Sequence, residues 1–85
     1  MNFLAKILIF PREGVLDTQG KAVARSLRGI GFENLRDVRV GKYIQVWLEA
    51  ADASEAASLA ESMCTELLVN NLIEDHSIEI ERCGQ

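Results

Sequence analysis

Residues 3–10, FLAKILIF, decide the fold of this chain of 85 residues. Their side chains alternate between two largely apolar faces, with Ala5, Ile7 and Ile9 on one and Lys6, Leu8 and Phe10 on the other. A strand that is apolar on both faces is typical of the centre of a sheet, where both faces are covered. The stretch stops at Pro11, which cannot donate a ladder hydrogen bond. The sequence therefore predicts a central strand with the other elements arranged around it.

The segment that follows, residues 10–23 (FPREGVLDTQGKAV), predicts a loop that leads into a helix. Asp17 stands at the N-cap position, where its carboxylate accepts hydrogen bonds from the first turn. Apolar residues recur at helical spacing as far as Ile30, and Gly31 then offers the left-handed position that ends a helix. Gly20 lies in the first turn, where a small residue lets another backbone approach.

Residues 35–50 allow two interpretations, because Gly41 and Lys42 separate two apolar stretches. A turn there makes two strands, whereas a kink leaves one long bent strand and a three-stranded sheet. The residues do not choose between them, since tight hairpins prefer Asn-Gly or Asp-Gly. Residues 43–50 alternate cleanly in either case, with an aromatic face that carries Tyr43 and Trp47.

A second helix and a last strand complete the pattern. Asp52 and Glu55 form a variant of the capping box, an apolar helical stripe runs to Val69, and residues 76–82 alternate as a half-exposed edge strand. The order predicts an α+β, ferredoxin-like β-α-β-β-α-β fold in one domain over residues 1–85, with both helices on one face of the sheet. The opposite face then carries an apolar patch of the kind that marks an interface. The residues expected in a dimer interface are Leu8, Phe10, Tyr43 and Trp47.

The net charge of −4 is unevenly distributed. Residues 1–42 hold eight basic and four acidic side chains, and residues 43–85 hold one basic and nine acidic ones. If the two helices lie side by side, the basic stripe Lys21, Arg25, Arg28 faces acidic groups such as Glu55, Glu61 and Glu66. Acidic composition and the lack of aromatics within the basic stripe disfavour nucleic-acid binding. The sequence shows neither a signal peptide nor a membrane span, so a cytoplasmic location is expected.

No constellation of residues indicates catalysis. His76 has no paired nucleophile, and Cys64 and Cys83 lack the spacing of a zinc site. The glycines form no phosphate-binding motif. We therefore expect no catalytic residue, no bound cofactor and no metal in this chain, and a function based on docking.

The segments GVLDTQGKAV (residues 14–23), LRDVRVGKYIQVWLEA (35–50) and MCTELLVNNLIEDHSIEI (63–80) resemble the PurS family. This family is the small subunit of phosphoribosylformylglycinamidine synthase, a carbon–nitrogen ligase of de novo purine biosynthesis with glutamine as amide donor. The chain departs from the common family pattern at Thr18 and Leu72, where prolines are usual.

The resemblance implies a non-catalytic subunit that joins two larger ones. These are a glutaminase subunit (PurQ-like), which releases ammonia, and a synthetase subunit (PurL-like), which is expected to hold ATP and magnesium. It also implies a homodimer or a dimer of dimers. The competing interpretation is a ferredoxin-like regulatory module that binds a small effector, as ACT domains do, and Gly14 and Gly20 are compatible with it.

The chain's most distinctive residues are expected to contact the larger subunits, because they offer cations, an aromatic ring and adaptable backbone. They lie in the loop before the first helix, at its first turn and in the segment before residue 43. The expected partner contacts are Pro11, Gly14, Asp17, Gly20, Arg39, Gly41, Lys42 and Tyr43.

Overall fold

A computed structural model describes residues 1–84, so that Gln85, the last residue of the predicted domain, lies outside the described part. The chain forms three strands and two α-helices, the second of which continues into a π-helical turn. In chain order these are β1 (Asn2–Pro11), α1 (Thr18–Gly29), β2 (Lys42–Glu49), α2 (Ala53–Met63), the π-turn (Cys64–Leu68) and β3 (Glu74–Cys83).

β1 is the central strand of an antiparallel sheet with the order β2-β1-β3, as its two apolar faces predict. Its pairing with β2 runs from Asn2↔Glu49 to Ile9↔Lys42. Its pairing with β3 runs from Asn2↔Cys83 to Pro11↔Glu74. The predicted α+β, ferredoxin-like class is confirmed. The sheet has three strands, as the second interpretation expected, but the long bent strand of that interpretation is limited to Lys42–Glu49.

The four-stranded β-α-β-β-α-β order is wrong, because only residues 42–49 of the middle segment form a strand. Residues 35–41 are irregular, and side chains rather than a neighbouring strand satisfy two of their amides. The Asp17 carboxylate accepts from Val40 N at 2.9 Å, and the Asp37 carboxylate accepts from Val38 N at 2.9 Å. Bonds of this kind offer the backbone an alternative to a sheet ladder.

The core lies between the sheet and α2. Ala5, Ile7 and Ile9 on the inner face of β1 are buried. They pack against small residues of the second helical segment, which let the helix approach the sheet closely. The buried side chains of that segment are Ala56, Ala60 and Cys64.

Both ends of α2 are fixed by local bonds. Asp52 Oδ1 accepts from Glu55 N at 2.8 Å, and Glu55 Oε1 accepts from Ala51 N at 2.6 Å, which confirms the predicted capping box variant. At the other end, the π-turn closes with Val69 N donating to Cys64 O at 3.1 Å.

The prediction that two helices cover one face of the sheet is confirmed only for α2. Within residues 1–84, α1 contributes no side chain to the core clusters. It packs instead on residues 35–40, where Ala24 is buried and Arg28 donates to Leu35 O at 3.3 Å. The radius of gyration is 16.4 Å, against about 12 Å for a compact chain of this length. The chain is therefore elongated.

The expected neutralisation of the two helices is also wrong, because it required them to lie side by side. In the described part of the chain, no ion pair joins the basic stripe of α1 to Glu55, Glu61 or Glu66. Glu61 Oε2 instead lies within hydrogen-bond distance of His76 Nε2, at 2.7 Å. The positive charge of α1 is thus left uncompensated by α2.

Substitution of two glycines in α1 tests whether the helix packs closely against residues 35–40. A Cβ at Gly20 would overlap the Val38 carbonyl oxygen, whereas a Cβ at Gly29 would find no atom within 4 Å. We expect Gly20→Ala to lower the unfolding free energy by about 1–3 kcal/mol, the usual cost of overpacking. The matched change Gly29→Ala should be neutral or stabilising by up to about 1 kcal/mol, because alanine favours helix. Urea denaturation measures both, and equal effects would contradict the close backbone contact.

Candidate functional site

The face of the sheet opposite α2 is open and carries an apolar patch on β1 and β2. Leu8 is 51% exposed, Tyr43 51% and Trp47 65%. The register places Leu8 beside Tyr43 and Leu4 beside Trp47. Phe10 lies farther along the same face and is half-buried. The structure thus brings together the four residues predicted for a dimer interface.

The same face is charged toward β3. Lys6 Nζ lies 2.6 Å from Glu81 Oε1 and 3.9 Å from Glu79 Oε1. The hydrogen bond and negative charge of Glu81 raise the pKa of Lys6 above its usual value, so the ammonium remains charged at neutral pH. The apolar patch is therefore bounded on one side by a charged row.

The loop before α1 and the segment before β2 meet at one end of the molecule. They enclose an open groove of about 140 Å³. Four of the predicted partner-contact residues line this groove: Pro11, Gly14, Asp17 and Arg39. The two stretches of sequence that looked most distinctive thus form one surface.

Asp17 holds these two stretches together. Its carboxylate accepts from Gly20 N and from Val40 N, each at 2.9 Å. These two backbone bonds, with weaker contributions from the charges of Lys21 and Arg39, lower the pKa of Asp17 below its usual value. The predicted N-cap is confirmed, and the second bond could not be read from the sequence because it joins residues 23 positions apart.

Predicted partner-contact residues outside the loop before α1 differ in their surroundings: two glycines lie against backbone atoms, and two cations lie at the surface. Gly20 and Gly41 allow close backbone contacts, the first with the Val38 carbonyl and the second with the Ile9 carbonyl. Arg39 lies over the Phe10 ring, 6.0 Å from its centroid. Lys42 Nζ lies 3.9 Å from Glu74 Oε2 and remains exposed. Arg39 therefore connects the groove with the edge of the apolar patch.

Arg12 has a role that sequence reasoning did not find. Its Nη2 donates to Asn71 O at 2.9 Å, and its Nε lies 3.3 Å from Asp75 Oδ1. Its backbone N–H also donates to Ile73 O at 2.8 Å. These partners are 59 to 63 positions away in the sequence, so no local sequence pattern predicts the contacts. Arg12 holds the turn before β3 against the loop before α1.

Of the remaining reactive side chains, Cys64 lies in the core. Cys64 is buried, and burial raises the pKa of its thiol, which keeps the thiol protonated at neutral pH. Residues 1–84 contain no group of three side chains able to hold a metal ion. No helix in the described part is long and apolar enough to cross a membrane. The described residues thus present two exposed surfaces, the apolar sheet face and the loop groove.

The fold defines a small α+β domain of the ferredoxin-like class with two exposed surfaces. The family model for PurS, phosphoribosylformylglycinamidine (FGAM) synthase, matches residues 4–82. The chain belongs to the PurS family.

Named relatives and solved structures agree with this assignment. The PurS subunit of phosphoribosylformylglycinamidine synthase from Synechocystis sp. is 38% identical over 93% of this chain and 79% of its own length. The Bacillus subtilis subunit is 37% identical over 93% of both chains. A chain of the PurLQS structure from Thermotoga maritima superposes with a TM-score of 0.87 at 28% identity, covering 95% of this chain and 99% of that one.

Proposed function

We propose that this chain, as one domain over residues 1–85, is the non-catalytic small subunit of a phosphoribosylformylglycinamidine synthase complex. The observation that carries the proposal is the family match over residues 4–82 together with the likeness to a chain of PurLQS. The open sheet face and the loop groove support it, because both are exposed surfaces of the kind that an assembly covers.

In this proposal the complex converts formylglycinamide ribonucleotide to its amidine with ATP and glutamine. A PurQ-like glutaminase subunit releases ammonia, and a PurL-like synthetase subunit binds ATP and magnesium. The present chain joins the two in the cytoplasm and supplies no catalytic group. Neither nucleic acid nor a membrane is proposed as a partner, because the chain carries a net charge of −4 and the described helices include no span long and apolar enough for a membrane.

The alternative, a regulatory module of the ACT type, is less well supported. The groove that contains Gly14 has a volume of about 140 Å³, below the roughly 300–1,000 Å³ that is usual for a small-molecule site. The Asp17 carboxylate within it is already bound by two backbone N–H groups. The groove is therefore better suited to contact with a protein surface than to enclosing an effector.

Reconstitution tests the bridging role. The chain alone should hydrolyse neither glutamine nor ATP, because no catalytic group is proposed in it. Its addition to the glutaminase and synthetase subunits should be required for glutamine-dependent amidine formation, measured as product per glutamine consumed. Full coupling by the two larger subunits without this chain would overturn the proposal.

The apolar patch should also hold two copies of the chain together. Leu8, Tyr43 and Trp47 are too exposed and too apolar to be left in water in a small domain. We expect Trp47→Glu to weaken this association at least tenfold, or about 1.4 kcal/mol, in sedimentation equilibrium. Leu72→Glu is the matched control, since Leu72 is a large apolar side chain even more exposed than Trp47 but lies in the turn before β3. A wild-type chain that stays monomeric at micromolar concentration contradicts this prediction.

The larger subunits should contact the loop groove and the residues beside it. We therefore expect Arg39→Glu and Lys42→Glu to weaken capture of the two larger subunits at least tenfold, while association of the chain with itself is unchanged. Desolvated charge pairs at interfaces commonly matter by about 2–5 kcal/mol on truncation. Arg82→Glu is the matched control. It makes the same change in charge near the opposite end of the sheet, where Arg82 pairs in register with Phe3. An unchanged complex in both variants would mean that Arg39 and Lys42 are simply solvated.

A further inference from the structure

Another groove lies between α1 and the irregular segment that leads into β2. Its volume is about 300 Å³, at the lower end of the range that is usual for small-molecule sites. Four of its lining side chains are basic and one is acidic. The lining residues are Lys21, Ala24, Arg25, Arg28, Arg36 and Asp37. We name this feature the basic groove.

The cations of the basic groove take part in no ion pair within residues 1–84. Arg28 Nη2 donates to Leu35 O at 3.3 Å, which occupies one of the several N–H donors of its guanidinium group. The four cationic side chains are all exposed, so that a ligand can reach them from solvent. The basic groove therefore carries positive charge and hydrogen-bond donors that the chain itself does not use.

Two carboxylates lie near these cations without forming ion pairs with them. Asp37 Oδ1 accepts from Val38 N at 2.9 Å. The charge of Lys21 interacts with the Asp17 carboxylate, but both oxygens of that carboxylate already accept backbone bonds, from Gly20 N and Val40 N. The two acids thus reduce the positive charge of the basic groove and do not cancel it.

The basic row on α1 destabilises the helix that carries it. Lys21, Arg25 and Arg28 follow one another at intervals of four and three positions, and like charges at these spacings repel each other on a helix surface. The helix dipole favours Arg28 in the last turn, but it disfavours Lys21 near the start, where the first turn holds no acidic residue. An anion bound between these side chains would remove the repulsion.

The backbone around the basic groove is fixed. Gly20 lies against the Val38 carbonyl oxygen, and Ala24 is buried. The Asp17 carboxylate joins the start of α1 to Val40. Because the two walls of the groove are held together before any ligand arrives, binding does not have to order the backbone, and the entropic cost of binding is smaller.

The lining of the basic groove is suited to a phosphate group. Three of its four cations are arginines, whose planar guanidinium groups can donate two parallel hydrogen bonds to phosphate oxygens. None of the described lining residues is aromatic, so the groove offers a nucleobase no surface on which to stack. A compact anion with more than one negative charge matches this lining better than a base or an apolar ligand does.

We propose that the basic groove binds a multiply charged phosphate, either a polyphosphate chain or the phosphate group of an ester. Both sources offer the tetrahedral oxyanion that arginine recognises. The basic groove shares Lys21 and Asp37 with the loop groove, whereas Arg25 and Arg36 line the basic groove alone. This inference concerns the chain by itself and does not depend on its proposed role in the synthase.

Calorimetric titration of the isolated chain with inorganic tripolyphosphate, at ionic strength matched with chloride, tests the proposal. The wild-type chain should bind one tripolyphosphate per chain with a Kd of about 1 mM or lower. We expect Arg25→Gln and Arg36→Gln to weaken binding by about threefold each and by about tenfold together, as for independent contributions. Arg82→Gln is the matched control. It removes the same charge near the opposite end of the sheet and should leave the affinity unchanged.

The absence of saturable binding by the wild-type chain would overturn the proposal. An equal loss of affinity in Arg82→Gln would do the same, because it would show that only the overall charge of the chain matters. Circular dichroism and sedimentation check that the variants keep the fold and the mass of the wild-type chain.

Titrations with inorganic phosphate and with ribose 5-phosphate identify the source of the phosphate group. Binding of tripolyphosphate at least tenfold tighter than of both would support a polyphosphate chain, and equal or tighter binding of ribose 5-phosphate would support an ester. Capture of the two larger subunits provides the opposing result. If Arg25→Gln and Arg36→Gln weaken this capture while the wild-type chain binds none of the three phosphates, the basic groove faces an acidic protein surface and the proposal is wrong.

Discussion

The burial of one face of β1 beneath α2 is the interaction on which the rest of the structure depends. Ala5, Ile7 and Ile9 are almost completely removed from water, and the alanines of α2 bring the helix close enough to achieve this. A single short helix covers only part of one face of a three-stranded sheet. The opposite face and the space above β2 are therefore left open as a direct result of how the core is built. Both exposed apolar regions therefore result from the packing of β1 against α2 alone.

A second constraint, the Asp17 carboxylate, determines where α1 is found. By capping the helix and binding Val40 N at the same time, it ties α1 to residues 35–40 rather than to the sheet. The lowered pKa of Asp17 shows that both bonds favour the charged carboxylate. The contribution of the Asp17 carboxylate to the stability of the folded chain is thus present above the pKa of an unfolded aspartate. That contribution is lost as the pH falls through the lower pKa that Asp17 has in the folded chain. A local cap therefore also fixes the position of α1 against residues 35–40.

Features with a local cause could be predicted from the sequence. The two N-caps, the left-handed Gly31 and the central position of β1 each depend on residue types within a few positions. The open aromatic face was predictable too, because strand alternation alone assigns Tyr43 and Trp47 to the side away from the core. The position of α1 was not, since it depends on a side-chain bond across 23 residues that replaces a strand pairing. The mistaken charge neutralisation followed from the same error. The role of Arg12 could not be predicted because its partners are even farther away, 59 to 63 positions along the sequence.

The incompleteness of the core links stability to assembly. A domain of this size buries only about 60–65% of the surface exposed by its unfolded chain, and here one helix lies outside the core altogether. Covering the open sheet face or the apolar groove above β2 adds buried apolar area at about 25 cal/mol per Å² without any change in the fold. Any partner that binds only the folded chain stabilises it by mass action. The exposed leucines and aromatics thus couple the folding of this chain to its binding of a partner, because burying them on a partner stabilises only the folded state.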